Sequence, residues 1–185
     1  PLGPGHDLDP VFPGAVGLQS SLYIHHQDIG LVLVRTEGDA AKVLAVDEAI
    51  AANRGDWFVD ETIAFIKRTL KRMDLTARSL FAIVDHGTCF AGTLFELALA
   101  CDRSYMLDDM EADEPVTIAL SPMNAGPYTM PNGLTRLQTR FLADPAKVDE
   151  ALGTDGPIEP QAAEEMGLVT FAPDDIDWEE EVRIA

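Results

Sequence analysis

The segment SLFAIVDHGTCFAGTLFELALACD, residues 79–102, constrains the fold more than any other part of the chain. Ser79 to Asp85 is a short, nearly continuous apolar run, the pattern of a buried strand. A turn of glycine and small residues follows it. A helix beginning with Gly92 and Thr93 comes next, apolar except for Glu96 and ending near Asp102. Other strand-like and helical runs alternate along the chain, and that alternation predicts an α/β layered fold.

Elsewhere the organisation is simpler. Residues 1–20 are dense in proline and glycine without a period of 2 or 3.6, so they read as an irregular arm or an expression remnant, and residues 21–185 as one domain. Strands are expected from Ser21 to His25 and from Ile29 to Arg35, split by a polar turn. Neighbouring histidines on a strand face opposite ways, so His25, His26 and Asp28 read as a solvated turn and no metal is expected. Lys42 to Ala52 is helical. Val59, Ile63, Ile66, Leu70 and Met73 recur at steps of four and three and mark the buried face of a second helix. Its other face carries Lys67, Arg68, Lys71 and Arg72, which with Arg78 suit either an anionic ligand tail or solvent.

Beyond Asp102 the expectations are a strand end at RSYMLDD, a strand from Val116 to Ser121 and a turn-rich loop. Helices follow from Leu134 to Phe141 and from Pro160 or Gln161 to Met166, the latter stopped by Gly167 and passing into LVTFA. The acidic tail DDIDWEEEVRIA reads as a solvated or docking helix.

A net charge of -19 opposes contact with phosphate backbones and with anionic membranes, so neither a nucleic acid nor a membrane is an expected partner. There is no apolar run long enough to span a bilayer and no signal-peptide pattern at the start, which places the protein in the cytoplasm as an expectation. Cys89 and Cys101 are in no zinc spacing and read as free thiols.

The chemistry centres on the turn before Gly92. A helix entrance presents backbone N–H groups without intrahelical acceptors, and it binds a phosphate, a carboxylate or the oxygen of a thioester as it becomes an enolate. No Lys-Ser or Lys-Thr follows the glycine, the dinucleotide glycine spacing is missing, and no Gly-x-Ser-x-Gly elbow occurs. Glu96 has two readings. Thr93-Leu-Phe-Glu96 matches a capping box, in which Glu96 reaches back to the Thr93 N–H. Alternatively Glu96 is a general acid or base beside an oxyanion-binding turn.

GTCFAGTLFELALACD resembles the second oxyanion segment of the crotonase (enoyl-CoA hydratase/isomerase) superfamily, with Glu96, Leu97, Ala98, Cys101 and Asp102 matching its pattern. The likeness continues at NGLTRL, Asn132 to Leu137, and at IEPQAAEEMGLV, Ile158 to Val169. Two long stretches, from Trp57 to Leu107 and from Ser121 to Phe141, look like the carboxy-terminal half of a superfamily lyase that opens the ring of 2,3-epoxybenzoyl-CoA with release of formate. The resemblance covers Gly30 to Val182. It implies a crotonase-like spiral of strands and helices, whole or as an incomplete copy.

The same resemblance implies that Gly92 and Thr93 polarise a thioester carbonyl while Glu96 moves a proton or positions water. Lys67, Arg68, Lys71 and Arg72 become candidate contacts for coenzyme A phosphates. Coenzyme A thioester is then the substrate, no cofactor is needed, and the partner is a second copy or a second crotonase-like half. Some positions depart from the superfamily. Thr93 stands where a glycine is usual, Thr117 where a second glutamate is usual, with Glu114 nearby, and the first oxyanion loop has no counterpart before Ser79. The lyase resemblance places the full catalytic set in the other half, so the alternative is a non-catalytic crotonase-like module for structure or oligomerisation.

Overall fold

The computed structural model describes residues 29–184. The irregular arm, the strand expected from Ser21 to His25, and the turn with His25, His26 and Asp28 lie outside the described residues.

Three parallel strands form one sheet in the order β1 (Leu31–Val34), β2 (Ser79–Val84), β3 (Arg103–Met106). Leu31 pairs with Ser79, and Phe81 with Arg103. Parallel neighbours need crossovers, and helices supply them. α1 (Ala40–Ala52) and α2 (Trp57–Asp74) join β1 to β2, and α3 (Gly92–Leu99) joins β2 to β3. Both long helices start on an aspartate cap: Asp39 accepts from the Ala41 N–H, and Asp56 from those of Phe58 and Val59.

The central strand alternates between two packed faces. Leu80, Ala82 and Val84 join Phe90, Phe95 and Leu137 in the main core, whereas Phe81 and Ile83 join Tyr105 on the opposite face. α7 (Trp178–Ile184) covers that second face through Trp178 and Val182, so the acidic tail docks. The buried face of α2 is the expected one. Ile63, Ile66 and Leu70 are buried against Met123 and Tyr128, with Val59 and Met73 partly buried beside them.

After β3 the expected strand from Val116 to Ser121 does not form. Ile118 makes a single antiparallel bridge to Ile158, and Ala119 a single parallel bridge to Ala91. Likewise LVTFA contributes only a bridge from Phe171 to Tyr105. Propensity for extended backbone was real, but successive turns of the chain meet there at single rungs with no continuous ladder. A 3₁₀ turn (Pro122–Ala125) and short helices α4 (Arg136–Arg140), α5 (Ala146–Leu152) and α6 (Pro160–Glu165) fill the remainder. No element is expected from the sequence at α5, a two-turn helix whose acidic and exposed residues leave little periodic signal.

Candidate functional site

α3 enters its first turn from Ala91, an extended cap without a side-chain hydrogen bond. Gly92 has a φ of 45°, in the left-handed region that side chains avoid. A Cβ there would also lie 2.0 Å from Asp47 Oδ2. Both backbone conformation and space therefore require glycine.

Every amide at this entrance has an acceptor. The Gly92 N–H donates to the Ala119 carbonyl at 2.9 Å, and those of Leu94 and Phe95 donate to the Ala91 carbonyl at 2.9 and 3.2 Å. The Thr93 N–H donates to Asp47 Oδ2 at 2.8 Å. This corrects the expectation of open donors: Gly92 and Thr93 present no unoccupied amide to a thioester oxygen in this structure. Asp47 reaches the entrance from α1, where it is the one buried residue of an otherwise partly or fully exposed helix. It also accepts from the Ser121 hydroxyl at 2.6 Å and from the Thr93 hydroxyl. The single Thr93 hydroxyl proton goes to Asp47, so the Tyr128 hydroxyl, 3.1 Å away, donates to Thr93. Burial pushes the Tyr128 phenol up to about 12, which keeps it a donor.

Glu96, one turn further along, is 1% exposed and does not reach back to cap the helix. The capping-box expectation is therefore corrected as well. Its Oε1 accepts from Asn124 Nδ2 at 2.8 Å and its Oε2 from Arg136 Nη1 at 2.8 Å. Asn124 is itself fixed: its Nδ2 also donates to the Gly92 carbonyl, and its Oδ1 accepts from the Ser121 N–H in a capping box of the 3₁₀ turn. Arg136 opens α4 behind the Thr135 cap and forms a two-pronged pair with Asp74 at the end of α2, Nε to Oδ1 at 3.0 Å and Nη2 to Oδ2 at 2.7 Å. Its Nη1 donates to the Tyr128 carbonyl too.

Asp47, Glu96 and Asp74 bring three largely buried carboxylates to this region, and Arg136 is the buried cation among them. Burial raises the Glu96 carboxyl above its ordinary range, against the opposing pull of Arg136 and Asn124. Asp74 is raised by burial against Arg136 and Lys71.

The other expected residues lie apart from this network. Arg68 and Arg72 are exposed on α2, and Lys67 and Lys71 are half-buried on its flank. Among the described residues none of the four hydrogen-bonds to Glu96, Gly92 or Thr93. Glu114 is exposed and Thr117 half-buried. Cys89 and Cys101 are free and buried. No group of three or more His, Cys, Asp or Glu among the described residues is arranged for a metal ion, and no described helix is long and apolar enough to cross a membrane.

Sequence reasoning did not single out Asp47, Asp74, Ser121, Asn124 or Tyr128. Arg136 falls inside the helix expected from Leu134 to Phe141, and the sequence assigns it no partner. The available signal was arithmetic. A buried carboxylate needs hydrogen-bond donors or a cation, and the chain has only 13 lysines and arginines. Of these, Arg136 stands between Thr135 and Leu137 in an apolar-flanked helix start.

No protein-family model matches the chain. Its fold is crotonase-like, shared with solved enoyl-CoA hydratase/isomerase structures. An enoyl-CoA hydratase from Bacillus anthracis matches with a TM-score of 0.61 at 17% identity, over 92% of this chain and 62% of that one. An enoyl-CoA hydratase/isomerase from Cupriavidus metallidurans matches with a TM-score of 0.63 at 13% identity, over 96% of this chain and 63% of that one. Within that fold the sequence is similar to the benzoyl-CoA-dihydrodiol lyase of Aromatoleum evansii, 52% identical over 166 residues. Those residues are 89% of this chain and 30% of the relative, so the chain spans under a third of the lyase's length.

Proposed function

We propose that this chain is the supporting crotonase-like unit of an acyl-CoA lyase that opens the ring of 2,3-epoxybenzoyl-CoA and releases formate in aerobic benzoate degradation. The sequence relationship to benzoyl-CoA-dihydrodiol lyase supports the reaction class. One observation carries the supporting role: Glu96, the candidate acid or base, has its two oxygens engaged by Asn124 and Arg136 inside the core. A carboxylate so held fixes α3 against α4 and the 3₁₀ turn. Proton transfer and polarisation of the thioester then fall to a second, non-identical crotonase-like unit packed against this one within a longer chain. Lys67, Arg68, Lys71 and Arg72 are the proposed contacts for the coenzyme A phosphates, the substrate is the thioester itself, no cofactor is involved, and the compartment is the cytoplasm.

A second reading is favoured by the raised proton affinity of Glu96, which suits a general acid. Under it Glu96 moves a proton while Gly92 and Thr93 bind the thioester oxygen, and this requires Asp47 to leave the α3 entrance.

Formate release from 2,3-epoxybenzoyl-CoA by the full-length gene product tests the reaction class, and its absence would refute it. Glu96→Gln then separates the two roles. The supporting role predicts a lowered melting temperature with kcat within about threefold of wild type for the folded fraction. A fall in kcat of roughly 100-fold or more at unchanged melting temperature, the scale of a lost general acid, would assign the chemistry to Glu96.

A further inference from the structure

We infer that the outer face of α2 is a docking surface for a second copy of this chain, the two helices packing antiparallel about a twofold axis at Phe65. The inner face of α2 is filled by Ile63, Ile66 and Leu70. On the outer face Phe58, Glu61, Phe65, Arg68, Arg72 and Leu75 recur at steps of three and four, and all six are exposed. That spacing makes one continuous stripe, the kind of seam on which another helix packs. Phe58 is 63% exposed and Leu75, the residue that caps the helix end, 71%. Trp57 meets the Phe58 ring edge-on with centroids 5.8 Å apart and adds to the same uncovered aromatic surface. Single exposed apolar residues are ordinary, whereas an aligned row of them marks a contact surface.

Charge selects the occupant, because the stripe is complementary to its own reversed image. Its acid, Glu61, lies toward the helix start, and its bases, Arg68 and Arg72, lie toward the end. With two copies antiparallel and Phe65 facing Phe65, Glu61 of each copy falls opposite Arg68 of the other. Phe58 and Arg72, each seven positions from Phe65, also fall opposite one another. The first contact is an ion pair and the second sets a guanidinium against an aromatic ring. A parallel pairing would instead bring Arg68 and Arg72 against themselves. Among the described residues neither Glu61 nor Arg68 forms an ion pair within its own chain. Arg68 and Arg72, four positions apart on one helix, repel each other, and an acid from a second copy offsets that repulsion. Self-complementarity of this kind is what a twofold contact between identical chains requires. Lys67 and Lys71 lie on the flank outside the stripe, and a guanidinium has five N–H donors, so the pairing leaves donors for the coenzyme A phosphates proposed above.

Sedimentation velocity of the purified 185-residue chain tests the contact. A helix of this length spans about 27 Å, so the buried area is at the low end for specific contacts and the expected dissociation constant is on the order of 10–100 μM. The measured mass should therefore rise from that of one copy toward that of two between about 1 and 500 μM. Glu61→Arg and Arg68→Glu each place like charges across the axis, and each alone should weaken association by roughly tenfold or more. Both positions are exposed, so neither change disturbs the core. An equimolar mixture of the two variants sets opposite charges across the axis again, and a dimer with one copy of each should form. A wild type that stays monomeric up to about 500 μM overturns the inference and leaves the stripe to a different unit. A dimer that both reversals leave intact, or a mixture that does not associate, overturns it as well. The mass is read without substrate, so failure of this contact and failure of the lyase reading are told apart.

Discussion

Arg136 is held between two acids: its guanidinium lies 2.8 Å from Glu96 Oε2 through Nη1 and 2.7 Å from Asp74 Oδ2 through Nη2, with all three side chains at most 3% exposed. The triad ties α3, α4 and the end of α2 together. Two acids sharing one base leave each dependent on it, because neither has another cation within hydrogen-bonding distance among the described residues.

Arg136→Met therefore leaves both carboxylates buried without a cation, and the expected loss is about 3–5 kcal/mol in urea unfolding. Arg136→Lys keeps the charge but not the two-pronged geometry, so it restores only part of that loss. A Met variant as stable as wild type would show that the triad is not what fixes α4.

The Glu96 carboxyl is raised by burial, and the sign of its pH dependence follows. A folded-state pKa above the unfolded one means that folding takes up a proton. The associated stability is fully present below the ordinary carboxylate pKa and is lost as pH rises through the raised value. The groups facing Glu96 are Arg136, Asn124 and Asp74. Wild type should gain stability relative to Glu96→Gln as the buffer moves from pH 7 toward the carboxylate range. Urea melts of both proteins at matched pH values measure it, and a difference that does not vary with pH would contradict the assignment.

Gly92→Ala combines a left-handed backbone with a Cβ directed into Asp47, so a loss above about 2 kcal/mol is expected from strain and overlap together. Adding Asp47→Ala removes the overlap with the carboxylate but neither the strain nor the 2.9 Å approach to Ser121 Oγ. The double-mutant cycle should then show a coupling of roughly 1 kcal/mol or more, and additive single effects would deny the contact.

Cys101 is buried, and desolvation with the neighbouring Asp102 pushes its thiol up to about 12. The reactive species is the thiolate, so iodoacetamide at pH 8 should leave Cys101 unmodified in the native protein and label it after unfolding. Mass mapping of the labelled peptides reads the result.

The elements with strong periodicity were legible in the sequence. α2 was anticipated from Val59 to Met73 and runs from Trp57 to Asp74, because its buried stripe repeats over the whole helix. The central strand was equally plain, since five of its six residues are buried. Legibility fails where pairing decides. VTIALS has the composition of a strand, but its partners at Ala91 and Ile158 belong to different turns of the chain and each offers only one rung.

At the site, the sequence singled out Glu96 as the residue needing an explanation and located the glycine entrance. It could not supply the partners, which are distant in sequence. Asp47 and Thr93 are separated by 46 positions, and Arg136 and Asp74 by 62. A capping box is a local pattern, which is why Thr93-Leu-Phe-Glu96 suggests one; the buried ion pair that Glu96 makes instead is set by tertiary packing. The glycine at 92 illustrates the difference. Its sequence context suggested an opening for a ligand, whereas its actual neighbour is the protein's own carboxylate.

The single rungs that join successive turns of the chain have a kinetic consequence. Ser104 and Thr170 are 66 positions apart and meet through their side chains and backbone, so the segment after α6 can dock only once β3 is in place. Closing so long a loop gives up much chain entropy before any contact repays it. Refolding should therefore be ordered, with amide protection appearing first around β2 and α3 and last near Phe171, and the Tyr105 face becoming solvent-protected only in that final phase.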